Sequence, residues 1–85
     1  MVEIKRVVQA AKFERDVRRL RDSLVRDRVK NPVRRVIEDP DVGKPLRYGL
    51  KGERTVRIPP FRLIYAVEGD TLILLRFEHR KDAYD

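Results

Sequence analysis

Two periods of apolar and polar residues divide the chain near its middle. In the first half, Phe13, Val17, Leu20 and Leu24 recur at i, i+4, i+7 and i+11, the spacing that lines one face of an α-helix. Charged residues fill the opposite face, with Glu14 four before Arg18 and Asp22 four before Arg26, the orientation that favours ion pairing along a helix. The pattern predicts a helix over 10–30. Residues 2–8 mix branched apolar and charged side chains and read as a strand ahead of it. Asn31-Pro32 joins a capping residue to a proline suited to a first helical turn. A second, short helix is therefore predicted over 31–39, carrying Val33, Val36 and Ile37, and the two helices form an antiparallel hairpin.

Past the turn cluster Asp39-Pro40-Asp41-Val42-Gly43 the period falls to two. Residues 55–58 alternate, and 61–67 alternate with Phe61, Leu63, Tyr65 and Val67 on one face, as half-buried strands do. Pro59-Pro60 and Glu68-Gly69-Asp70 supply the tight turns between them. Residues 71–79 begin TLILLRF, a nearly continuous apolar run, which suits a strand covered on both faces in the interior of a sheet. The double-proline bend then lies at the periphery. The expected architecture is α+β, a single domain over 1–85. It has an N-terminal strand, a two-helix hairpin and a three-stranded antiparallel meander, in one twisted, mostly antiparallel four-stranded sheet. The first strand lies beside the last and the helices cover one face.

This register sets Arg57 opposite Arg62 across the bend in 56-VRIPPFRLIY-65. Cross-strand partners have Cβ atoms roughly 4.5–5.5 Å apart, where like charges repel. Either the two guanidinium groups splay into solvent, or they pair separately with Glu53 and Glu78, or an anion lies between them. Spacing alone leaves the three open. Across the whole chain, 21 Lys and Arg against 14 Asp and Glu give a formal net charge of +7, a field that favours acidic partners, namely nucleic acid, an anionic membrane or an acidic protein. With no cysteine and one histidine, neither a disulfide framework nor a zinc cluster is expected. No apolar run approaches the ~20 residues that span a bilayer, and the N-terminus becomes charged too early for a secretory signal, so a cytoplasmic location is expected. Charged residues make up 41% of the chain, while Asn and Gln occur once each. That is a thermophile's pattern, or a well-solvated mesophilic surface. The arginines of 15-RDVRRLRDSLVRDRVK-30 form a solvated helix face or meet RNA phosphates, and Tyr48 packs under its own loop or stacks on a base.

The run GKPLRYGLKGERTVRIPPFRLIYAVEGDTLILLRFEHRKDAYD, together with VVQAAKFERDVRRL nearer the N-terminus, resembles the RelE/ParE superfamily of prokaryotic toxins, and within it the RelE-like, archaeal-type branch. The resemblance implies a RelE-like fold and a toxin of a type II toxin–antitoxin system. Its activity would be ribosome-dependent, metal-independent cleavage of mRNA to inhibit translation, without a cofactor and without a membrane. Its partners would be the ribosome, mRNA and an acidic RelB-like antitoxin. By the same resemblance the catalytic residues are Arg57, Arg62, Arg80 and Tyr84, with His79 matching the catalytic histidine of YoeB-like toxins. Lys44, Arg47, Lys51 and Arg54 are the expected RNA-binding residues. Two positions depart from the pattern: Thr55 stands where a basic residue is expected, and GKPL lacks the Glu of a GKPEPL-type loop. The alternatives are a ParE-like toxin that acts by binding a protein such as gyrase, and a non-catalytic nucleic-acid-binding domain of the same fold.

The chemistry fits these residue types. Metal-free RNA cleavage requires the 2′-hydroxyl to lose a proton, the pentavalent phosphorus centre to be neutralised and the 5′-oxygen to gain a proton. Arginine stays protonated and presents a planar fork to phosphate oxygens, which assigns Arg57 and Arg62 to charge stabilisation. A tyrosine titrates near ~10 unless neighbouring cations favour its phenolate, whereas a histidine carries protons more readily. The general base stays open between Tyr84 and His79, and His79 is equally an acid, an RNA-orienting group or neither.

Overall fold

Residues 71–79 take the interior position that their apolar run predicts. The computed structural model describes residues 3–20, 23–45 and 52–79. Along the chain they form β1 (Arg6–Gln9), α1 (Ala11–Arg18), α2 (Ser23–Glu38), β2 (Lys44–Pro45), β3 (Arg54–Ile58), β4 (Phe61–Glu68) and β5 (Thr71–His79). The sheet order is β1-β5-β4-β3-β2. β1 runs parallel to β5 and every other pair is antiparallel. The fold is α+β, as expected, but the sheet has five strands among the described residues where the sequence predicts four. The extra one, β2, pairs Lys44 with Thr55 and Pro45 with Arg54. Two residues are too few for an alternation to register.

The helix boundary also differs. The chain leaves α1 at Arg19, whose N–H donates to the Arg15 carbonyl while the Leu20 N–H donates to that of Val17, and Pro32 lies inside α2, so the predicted division into 10–30 and 31–39 does not hold. A proline in a helix interior costs about 3 kcal/mol in isolation. Here packing outweighs it: Val29, Val33 and Val36 run through the proline on one stripe, Val29 and Val36 are buried in the core with Phe13, and Val33 packs against that core as Val17 and Leu20 do. Arg18 also departs from the sequence expectation, since its Nε reaches the main-chain carbonyl of Glu14, while Lys12 pairs with Asp16 at 2.8 Å.

The two faces of the sheet follow from register. Tyr65 and Leu63 on β4, both fully buried, lie beside Leu74 and Phe77 of β5, and Leu63 beside Val56 of β3. These residues meet α1 and α2 through Phe13, Val29 and Val36 in one apolar cluster. β5 keeps its large side chains on that face only because the register shifts opposite Ile64/Tyr65, so that Tyr65 pairs with Leu74 and Ile64 with Arg76. The extra residue switches the inward set from Leu72 and Leu74 to Phe77, which is what a β-bulge does. Asp16 of α1 then accepts the Phe77 amide at 3.0 Å. The opposite face carries Arg57, Arg62, Ile64, Arg76 and Glu78 and no helix of the described residues packs there in the core cluster.

Tyr65 ties the turn after α2 to the sheet. Its hydroxyl donates to the Pro40 carbonyl at 2.7 Å and accepts from the Gly43 amide at 3.0 Å. A Cβ on Gly43 would sit 2.6 Å from that hydroxyl oxygen and 3.0 Å from the Thr55 carbonyl. Gly43→Ala is therefore expected to destabilise the protein by about 1–3 kcal/mol through overpacking, read as a lowered urea midpoint. Burial raises the Tyr65 phenol above its ordinary value of 10.0, with the Gly43 hydrogen bond and the Arg54 charge opposing. The folded protein thus holds this proton more tightly than the unfolded chain. Stability contributed by Tyr65 is intact below pH 10 and is lost as pH climbs from there through the raised folded value. Tyr65→Phe should flatten that alkaline loss while lowering stability at neutral pH by about 1–3 kcal/mol, because two backbone groups lose their partner. Urea titrations across the alkaline range test both effects.

Candidate functional site

The open face of the sheet assembles the charged residues of β3, β4 and β5. Arg57 and Arg62 are direct cross-strand partners, and Arg62 in turn is paired with Glu78. Alternation in the strands sends these three side chains to the side away from the helices. A chain of ion pairs crosses this face. Arg76 Nη2 lies 3.1 Å from a Glu53 carboxylate oxygen and its Nε 3.0 Å from one oxygen of Glu78, and the other Glu78 oxygen is 3.9 Å from Arg62 Nη2. Glu53, at 7% exposure, is buried with its charge matched. Ile64 beneath the network is fully buried although it lies outside the helix-side core, flanked in register by Thr55 and Arg76. This agrees with the way arginine stems cover apolar surface.

The two opposed arginines end differently. Arg62 is three-quarters buried at the side chain and makes the long contact to Glu78, but its Nε is inaccessible and has no hydrogen-bond partner. Arg57 is exposed and has no ion pair among the described residues. Buried donors are normally satisfied, and leaving one unmade costs roughly 1–3 kcal/mol. The hydroxyl of Thr55 on the same face is likewise buried without a partner. Lys44, exposed on β2, is the cross-strand neighbour of Thr55, so a cation flanks the position where the family pattern leads one to expect a basic side chain. Arg57, Arg62 and Lys44 therefore share one face, where three cations suit an anion with several oxygen acceptors, while the unpartnered Arg62 Nε and Thr55 hydroxyl lie beneath it, closed to solvent.

Other expected residues stand elsewhere. Arg54 is turned to the helix side, where its Nη1 donates to the Gly43 carbonyl at 2.6 Å and its Nη2 lies 3.5 Å from Asp41. β3 keeps regular register from Arg54 to Ile58, so no bulge rotates Arg54 toward Arg57. It borders a cavity of about 340 Å³ with Pro40, Asp41, Gly52, Val67 and Gly69 at the far end of the sheet. His79 pairs with Phe61 and meets its ring edge-on at 5.2 Å, while Phe61 stacks on Phe77 at 4.9 Å. This sets the imidazole on the face opposite Arg57 and Arg62. Arg47, Tyr48, Lys51, Arg80 and Tyr84 lie outside the described residues. On the helix side, Arg15, Arg18 and Arg19 line one shallow depression. Among the described residues no three His, Cys, Asp or Glu side chains gather as metal ligands, and no helix is long and apolar enough to cross a membrane.

Arg76 is the member of this face that the sequence conceals. It sits in an apolar run in which every neighbour argues for burial. The one available signal is the charge itself, an arginine two residues from Glu78 on a strand otherwise built for the core.

Comparison with known proteins places this geometry in context. Residues 7–84 match the family described as ParE toxin of type II toxin–antitoxin system, parDE. Over 45 residues the chain is 42% identical to Toxin RelG of Mycobacterium tuberculosis, an alignment covering 51% of this chain and 52% of that protein. The chain thus spans about half the length of that curated relative. The RelBE2 toxin–antitoxin complex of M. tuberculosis contains a chain that superimposes with a TM-score of 0.72 at 29% identity, over 88% of this chain and 96% of that one. A chain of the Escherichia coli RelBE complex gives a TM-score of 0.75 at 21% identity, over 87% and 94%, and so shares the fold.

Proposed function

Because the chain belongs to the ParE toxin family of type II toxin–antitoxin systems, we propose that it is the RelE-like kind of toxin, a ribosome-dependent, metal-independent endoribonuclease that cleaves mRNA. The observation that carries this reading is the pairing of Arg57 with Arg62 on the open face, with Lys44 nearby in register. A phosphodiester seated there receives charge-assisted hydrogen bonds from two guanidinium forks. The bonds strengthen as negative charge develops on the phosphorus oxygens. The 2′-oxygen attacks phosphorus, the bond to the 5′-oxygen breaks, and the products are a 2′,3′-cyclic phosphate and a 5′-hydroxyl. The proton leaves the 2′-hydroxyl for a base and is returned to the 5′-oxygen by an acid. Arg80 and Tyr84, which follow β5 in sequence, are assigned to this step, Arg80 by charge and Tyr84 by proton transfer. With His79 on the far face, Tyr84 is preferred as the base.

The partners in this reading are the ribosome, mRNA and an acidic RelB-like antitoxin laid over the basic surface. The neighbouring structures of M. tuberculosis and E. coli are toxin–antitoxin complexes, which supports the last of these. A second reading is a ParE-like toxin that binds a protein such as gyrase, and the ParE description of the matching family favours it. Incubating the protein with programmed ribosomes and mapping the 5′ ends of the mRNA separates the two. Cleavage confined to ribosome-bound message supports the nuclease; intact message with inhibited gyrase supports the alternative.

A further inference from the structure

Glu78 stands beside Arg62 on the open face of the sheet. Its carboxylate is the cross-strand neighbour of Arg62 and is held against that arginine's terminal nitrogen at 3.9 Å, a separation too long for a hydrogen bond, while its other oxygen is fixed at 3.0 Å by Arg76. Arg76 is itself anchored to the buried Glu53. The carboxylate is therefore braced by Arg76 and offers Arg62 an incomplete partner. From this we infer that Glu78 is a built-in competitor for Arg62, a positioning residue that lowers the protein's affinity for RNA phosphate and is displaced, rather than joined, when the phosphate binds. The inference rests on the nuclease reading, because it takes Arg62 as a phosphate ligand.

Phosphate binding at Arg62 is an exchange of anions. An anion arriving at Arg62 replaces a carboxylate that keeps Arg76 as its partner, so Glu78 is never left buried and uncompensated. Its negative charge nevertheless repels the phosphate until Arg62 turns away from it. Neutralising Glu78 removes both the competition and the repulsion and leaves both arginines available. A contact between partly exposed charges of this kind corresponds to about a two- to fivefold change in affinity.

The test measures binding of a short single-stranded RNA, 2′-O-methylated throughout so that it resists cleavage, by fluorescence anisotropy at fixed salt. Glu78→Gln should bind about two to five times more tightly than the wild type. Glu14→Gln, which changes net charge equally from the exposed surface of α1, should differ little from the wild type. In ribosome assays Glu78→Gln should lower KM without raising kcat, a split that a merely structural role would not produce. Adding Arg62→Ala to Glu78→Gln should abolish the gain. Unchanged or weaker binding by Glu78→Gln, or an equal gain from Glu14→Gln, overturns the inference. If Arg62→Ala alone binds RNA as well as the wild type, the phosphate site itself fails, an outcome separate from the first. Should the amide variant not fold, Glu78→Asp draws the carboxylate back from Arg62 by one methylene while keeping its charge, and a smaller gain in affinity is required of it.

Discussion

Arg62→Ala is expected to reduce ribosome-dependent mRNA cleavage by about 10²–10³, the loss typical of removing one donor from a site that stabilises developing oxyanion charge. Stability should change by no more than about 0.5 kcal/mol, because the substitution gives up only a weak ion pair. Arg62 and Glu78 approach to 3.9 Å as partly exposed groups, an attraction worth little in water. Against it stand the relief of cross-strand repulsion with Arg57 and the removal of a buried, unpartnered donor. Glu78 meanwhile keeps Arg76. Activity and stability are thus uncoupled at this position. The measurements are the cleavage rate on programmed ribosomes and a urea melt of the same preparation. Undiminished cleavage would remove the phosphate from between the two arginines and leave the protein-binding toxin as the better account.

The reverse pattern is expected at Arg76, where the larger effect is on the fold. Arg76→Ala strands the Glu53 carboxylate, which is 7% exposed and paired with Arg76 at 3.1 Å. It also removes the brace on Glu78. Leaving a buried charge uncompensated costs about 3 kcal/mol, a large part of the stability of a small domain. The double variant Arg76→Met with Glu53→Gln discards the charge pair while keeping most of the volume, and it should recover much of the loss, since buried pairs exchange for neutral groups at little net cost. Urea midpoints for the single and double variants decide the matter. Equal destabilisation in both would show that the arginine acts through its packing over Ile64 rather than by neutralising Glu53.

Local signals in the sequence identify most of the fold. The interior place of 71–79 follows from its apolar run, and both hairpins from their turn residues. The Arg57–Arg62 pairing follows from counting outward from Pro59-Pro60. What escapes depends on contacts between distant segments. Asn31-Pro32 reads locally as a helix start, yet Val29, Val33 and Val36 carry α2 straight through it because the sheet rewards the whole stripe. The bulge opposite Ile64/Tyr65 leaves no mark in a run of leucines and isoleucines, and without it neither the inward turn of Phe77 nor the outward turn of Arg76 can be derived. The same bulge decides the candidate site: it sends Glu78 to the arginine face and His79 to the Phe61 side. Glu53 and Glu78 are recognisable as acidic partners, but only the three-dimensional pairing shows that one arginine holds both.

The parallel pairing of β1 with β5 has a consequence for assembly. Arg6–Gln9 is matched to Thr71–Leu74, so the first strand of the sheet waits for the last. Such distant pairings make folding slow, because the loop between them must close before either strand gains a partner. During synthesis the helices and the hairpin of β3 and β4 emerge with β1 still unmatched. The strand that carries Glu78, and that leads on to Arg80 and Tyr84, is made after both of the strands it joins. Arg57 and Arg62 are thus brought together by their own hairpin first, and Arg76 and Glu78 join them only when β5 inserts between β1 and β4.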